Sequence, residues 1–160
     1  ELAERTYSAG AHAVRVSVDV ETGAVEVLHY VTVEDIGRAV NPQLVHGQAL
    51  GGLVMGLGGT LLDELIYDET GQLLTANLAD YLLPTSTSFS NLESIILEAA
   101  PSRLNPLGVK GAGEGGIVAV AGALANAVAN ALAEFGVEVT ELPIRPDNVL
   151  RWLREADHGH

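Results

Sequence analysis

The sequence predicts an α+β fold in which an N-terminal β-hairpin and a mixed sheet pack with Gly/Ala-rich helices. Three patterns carry that expectation. Valines at 14, 16, 18 and 20 alternate with Arg15, Ser17 and Asp19, the period of a half-buried strand. Residues 43–65 set Gly47, Gly51, Gly52, Gly56, Gly58 and Gly59 among Leu50, Leu53, Val54, Leu57, Leu61 and Leu62. Residues 117–135 are dominated by alanine and end at Gly136. At 160 residues and 48% hydrophobic content, the chain can build one compact domain or two small lobes sharing a core.

Each element follows from local chemistry. From His12 to Val33 the chain reads as a hairpin, turning at Glu21-Thr22-Gly23 and resuming at Val25 and Val27, then running through Leu28, Tyr30, Val31 and Val33. Gly37 and Asn41-Pro42 mark an exit loop, since glycine admits positive φ and proline lacks a ladder donor. A helix is predicted over 43–65. Each interior glycine costs about 1 kcal/mol against alanine, so this many require a tertiary or functional reason, and close backbone approach is the physical candidate. A turn at Asp68-Glu69-Thr70-Gly71 and a loop around Leu83-Pro84-Thr85-Ser86-Thr87-Ser88 lead to a strand over Leu92–Leu97. Residues 101–116, with Pro101, Pro106 and five glycines, read as loop. Beyond them the spacing predicts a helix from Ile117 to Phe135, a short strand over Val137–Thr140, and a last helix over Pro146–Glu155 with Trp152 packing inward. No internal repeat or interdomain linker is visible.

Eight Lys and Arg against 21 Asp and Glu give a formal charge of −13, which repels nucleic acid and anionic membrane; neither is an expected partner. The absence of cysteine excludes disulfides, thiolate metal sites and a cysteine nucleophile, and suits a reducing, cytoplasmic setting. No basic segment leads from Glu1 into an apolar run, so neither a signal peptide nor a membrane span is expected. A start without methionine is expected of a trimmed or processed chain. The longest apolar stretch, Gly115 to Leu132, is interrupted by Asn126 and Asn130 and is expected to be buried within protein rather than in a bilayer.

Two segments could carry chemistry. In Gly108-Val109-Lys110-Gly111-Ala112-Gly113-Glu114-Gly115-Gly116 one carboxylate sits in a glycine-rich loop directly before a long apolar helix. The spacing does not fit a P-loop, and on the residues alone the favoured reading of Glu114 is a first-turn acid that complements the helix dipole, ahead of a catalytic one. In Asp35-Ile36-Gly37-Arg38-Ala39-Val40-Asn41-Pro42, followed by Gly47-Gln48-Ala49-Leu50-Gly51-Gly52, Gln48 can offer donor and acceptor to a heteroaromatic ligand that small neighbours let approach. Its bland alternative is a helix-start side chain bonding locally.

Taken in order, these pieces resemble the large subunit of the xanthine dehydrogenase, aldehyde oxidase and carbon monoxide dehydrogenase family of molybdenum hydroxylases. The likeness rests on the hairpin leading into Val33-Glu34-Asp35-Ile36-Gly37, on Asn41-Pro42, Gly47-Gln48, Asp80-Tyr81-Leu82-Leu83-Pro84, and Lys110-Gly111-Ala112-Gly113-Glu114. It covers nearly the whole chain.

The resemblance implies that residues 1–160 are the C-terminal portion of a molybdopterin-binding domain, with the fold of the family's second such domain. It implies a molybdenum–molybdopterin cofactor, in its plain or cytosine dinucleotide form, in the complete enzyme. Glu114 would be the catalytic base, a buried carboxylate accepting a proton from the water-derived oxygen; Gln48 would contact the pterin, and the backbone of Gly111, Ala112 and Gly113 would lie near the metal's ligands. No side chain of this chain is assigned as a metal ligand, and Lys110 is read as structural. The partners implied are the remainder of the large subunit, FAD-binding and iron–sulfur subunits or domains, and a small-molecule substrate. Gly115-Gly116 stand where the xanthine and aldehyde enzymes place prolines and the carbon monoxide enzymes Ser-Pro, which leans the substrate toward an N-heterocycle or an aldehyde rather than CO. The family's subunit is several times longer, so the isolated chain is expected to be inactive. Two other classes compete: a non-catalytic pterin- or nucleotide-binding module, and a structural subunit.

Overall fold

In the computed structural model, residues 5–157 are described. The hairpin forms as the valines predict. Strand β1 (Ala9–Val18) runs antiparallel to β2 (Val25–Asp35), and the Asp19 carboxylate fixes the turn by accepting the amides of Glu21 and Thr22. Register passes from Arg15 opposite His29 to Val16 opposite Val27, which leaves Leu28 as the extra residue of a bulge. That one residue resets the parity of β2. Val27 faces the core on one side of the bulge; Tyr30, Thr32 and Glu34 do so on the other.

Helix α1 (Pro42–Leu61) starts at Asn41, whose side chain accepts the Leu44 amide at 3.2 Å. It ends at Leu61 rather than near residue 65. The Gly58 carbonyl accepts the amides of both Leu62 and Asp63, at 2.8 and 2.9 Å, and this tightened turn diverts the chain. The Asp68–Gly71 turn and the loop around Pro84 follow as expected, and β3 (Leu92–Leu97) pairs parallel to β2. The sheet is therefore mixed, in the order β1-β2-β3, with α1 as the crossover that a parallel pair needs.

The alanine-rich segment departs from a single helix. It begins at Gly115 as the short α2 (Gly115–Val118), breaks at Ala119 (φ −101, ψ 0), continues as α3 (Val120–Ala131) and closes in a 3-10 turn over Ala133–Phe135 with Gly136 at φ 69. The break lets α2 lie on α1 while α3 packs against β1. Val120, Leu124, Val128 and Leu132 form its buried stripe, whereas Val118 is 74% exposed, so the apolar run is buried along one face only.

No strand forms over Val137–Thr140. This segment runs between α3 and α4 (Pro146–Asp157), where neither neighbour offers a strand edge, and Val137 serves as a core side chain instead. Trp152 on α4 is buried in the same cluster.

Close approach accounts for part of the glycine content. A Cβ on Gly116 would lie 2.1 Å from the Ala49 carbonyl oxygen, and one on Gly56 would lie 2.7 Å from Cγ2 of Val120, so α1 meets α2 and α3 at contact that larger residues forbid. Gly47, Gly51 and Gly59 meet nothing within 4 Å and lie on an open face. Among the described residues no helix is long and apolar enough to cross a membrane.

Candidate functional site

The site is built where β2 ends. Asp35, its last residue, accepts the Gly37 amide at 3.0 Å through Oδ1 and the Ala100 amide at 3.0 Å through Oδ2, and it pairs with Lys110 Nζ at 3.4 Å. The two charged side chains are only 14% and 13% exposed. Lys110 also donates its backbone amide to Ile36, and Arg38 donates to Gly108, so the 98–116 loop is laced to the end of β2. Asn105 completes the loop, with Nδ2 donating to the Val109 carbonyl and Oδ1 accepting the Val109 amide. Lys110 is thereby committed to Asp35.

The Gly37 amide first, then the Lys110 hydrogen bond and charge and the Ala100 amide, hold the Asp35 carboxyl below its ordinary value of 3.8 against partial desolvation. A carboxyl depressed in the folded state stabilises above its ordinary value, and that contribution is lost as pH falls through the folded value. Asp35→Asn should therefore melt below the unmodified protein at neutral pH, with the gap closing at pH values under about 3.8. Thermal melts across pH check this; a gap that stays constant into strong acid contradicts it.

The loop then returns to α1. Gln48 donates an Nε2 hydrogen to the Gly113 carbonyl at 2.8 Å, across 65 positions of sequence. The local helix-start alternative for Gln48 is thus replaced by a long-range bond, and its Oε1 is left as an acceptor on an exposed residue. Gly111 and Gly113 are exposed with nothing within 4 Å of a Cβ position, and Ala112 is half-buried between them. Glu114 precedes α2, and its side chain makes no capping bond. The helix it would complement spans only four residues. The expectation of a buried carboxylate does not hold within this chain: Glu114 is exposed, because nothing in residues 5–157 covers that face.

Sequence reasoning missed a polar line behind the loop. His12 Nε2 lies 3.0 Å from the Gly115 carbonyl oxygen and 3.2 Å from Thr32 Oγ1, which donates to Glu34 Oε1 at 3.3 Å. Parity could have revealed it, since Tyr30, Thr32 and Glu34 alternate along β2; the bulge at Leu28 breaks that parity's link to the valines.

One exposed face therefore gathers a carboxylate, an amide and unobstructed glycine backbone, an open surface rather than an enclosed pocket. Residues 2–90 match the family described as Molybdopterin cofactor-binding domain, and the chain belongs to that family. It is 41% identical over 145 residues to the nicotine 6-hydroxylase large subunit of Paenarthrobacter nicotinovorans, covering 91% of this chain and 18% of that one. Against the 6-hydroxypseudooxynicotine dehydrogenase complex subunit gamma of the same organism, identity is 38% over 143 residues, with 89% and 18% covered. The crystal structure of quinoline 2-oxidoreductase from Pseudomonas putida 86 superposes with a TM-score of 0.88 at 40% identity, over 92% of this chain and 19% of that one. This chain thus spans less than a fifth of the length of these relatives.

Proposed function

We propose that the chain forms one wall of the molybdenum-cofactor site in a longer hydroxylase, as the C-terminal portion of its cofactor-binding domain, with Glu114 as general base. The observation that carries this reading is the Gln48–Gly113 bond, which joins the pterin-contacting candidate to the loop of the base. The residues suit the group: Gln48 keeps a free amide oxygen for a pterin N–H, and Gly111 and Gly113 leave room for close approach. When bound, the cofactor supplies a two-electron acceptor and a Lewis acid. Glu114 takes a proton on its carboxylate from the attacking water-derived oxygen, and the covering segments of the subunit exclude bulk water from it. Electrons leave through FAD-binding and iron–sulfur partners in the cytoplasm. The names of the nicotine and quinoline relatives support an N-heteroaromatic substrate, with aldehydes next.

Leu44, Met55 and Val118 are 70%, 68% and 74% exposed, apolar surface suited to cover by the remainder of the subunit. The isolated 160-residue chain is expected to give a folded circular dichroism spectrum, to contain no molybdenum and to turn nothing over. Elemental analysis that finds one molybdenum per purified chain would defeat the idea of a divided site. Tight pterin binding by the chain alone in calorimetry would favour the non-catalytic module instead.

A further inference from the structure

Glu114 sits between two carbonyls that are each held from the side. Gln48 binds the Gly113 oxygen at 2.8 Å, and His12 binds the Gly115 oxygen at 3.0 Å. The second bond belongs to a line of polar groups that the proposed chemistry does not otherwise use. A carbonyl oxygen only accepts, so His12 Nε2 carries the hydrogen that it shares between Gly115 and Thr32. Thr32 in turn donates to Glu34. On the far side of the ring, His12 Nδ1 lies 3.0 Å from Tyr30 Oη; burial pushes that phenol up to about 12, so it keeps its hydrogen and donates it to Nδ1. The line is thus directional, running from Tyr30 through His12 and Thr32 to the Glu34 carboxylate.

Tyr30 and Thr32 are fully buried and Glu34 is 2% exposed, a placement that costs desolvation apolar residues would avoid. Among the described residues, the line's bond to the segment that carries Glu114 is the one to Gly115, at the start of α2. Glu34 adds a steric hold: a Cβ on Gly115 would fall 1.9 Å from Glu34 Oε2, so the glycine after Glu114 is packed onto that carboxylate. Glycine has the widest choice of φ and ψ, and an unrestrained one next to the base lets the base wander.

We propose that His12, Thr32 and Glu34 are positioning residues, which fix the Gly115 peptide and thereby the direction in which Glu114 presents its carboxylate. The proposal rests on the reading of Glu114 as the base. A misplacement of about 1 Å at a reacting group can cost on the order of 100-fold in rate.

The test uses the whole enzyme. His12→Leu removes the donor, His12→Gln restores an amide N–H at similar reach, and Thr32→Val breaks the link to Glu34 with little change in volume. Expected for His12→Leu is a kcat lowered about 10- to 100-fold with KM within about twofold and molybdenum content unchanged. Backbone amides of residues 111–117 should exchange faster by mass spectrometry, with or without cofactor. His12→Gln should recover most of the rate and the protection. Thr32→Val should move both readouts in the same direction and serves if His12→Leu does not fold. Unchanged exchange, unchanged kcat, or a loss confined to KM overturns the proposal. If Glu114→Gln itself keeps full turnover, the base reading fails instead, and the exchange measurement still reports whether His12 holds the loop.

Discussion

Glu114→Gln in the complete enzyme should lower kcat by roughly 100- to 10,000-fold while molybdenum content and melting temperature stay at the level of the unmodified protein. The substitution keeps the size of the side chain and removes its ability to take a proton. Little structural should go with it, because the carboxylate makes no capping bond in this chain and glutamine keeps its volume. Steady-state turnover paired with elemental analysis decides the matter. Turnover within about threefold of the unmodified enzyme would return Glu114 to the role of a helix-start acid and favour a structural or non-catalytic domain.

The second large effect separates two glycines three residues apart, Gly113 in the loop and Gly116 in α2. Gly116→Ala puts a methyl 2.1 Å from the Ala49 carbonyl oxygen, an atom of helix backbone that cannot swing aside, so α1 and α2 must part. Overpacking of this kind costs about 1–3 kcal/mol, and at about 2–4 °C per kcal/mol it should lower the melting temperature measurably. Separation of α1 from α2 also strains the Gln48–Gly113 bond, so molybdenum content should fall. Gly113→Ala meets open space, and Gly113 is not one of the positive-φ glycines, so stability should hold within about 0.5 kcal/mol. Its methyl nevertheless occupies the side from which a cofactor would approach, and molybdenum content should fall there too. Scanning calorimetry with metal analysis checks both; equal stability of the two variants contradicts the packing account.

Much of the fold was legible because its signals are local. Alternating valines, the Asn41 cap, the Asp68–Gly71 turn, the strand at Leu92 and the terminal amphipathic helix each depend on a few neighbouring residues. The segment at Val137–Thr140 misled for the same reason: its alternation is that of a strand, but pairing needs a partner edge that only the arrangement of α3 and α4 could deny. The break at Ala119 is likewise invisible in an alanine-rich run, since it arises from one turn lying on α1 and the next packing against β1.

The candidate site divides in the same way. By itself the sequence determined the chemical inventory: a lone carboxylate among glycines, a glutamine among small residues, no cysteine, and an order of motifs that identified the family. Only the tertiary structure decided that Gln48 binds Gly113, that Lys110 is committed to Asp35, and that His12, Thr32 and Glu34 stand behind Gly115. Those contacts join residues 65 to 103 positions apart. Composition and periodicity report on near neighbours, whereas a hydrogen bond across such separations exists only after the sheet has set its register and the helices have closed on it.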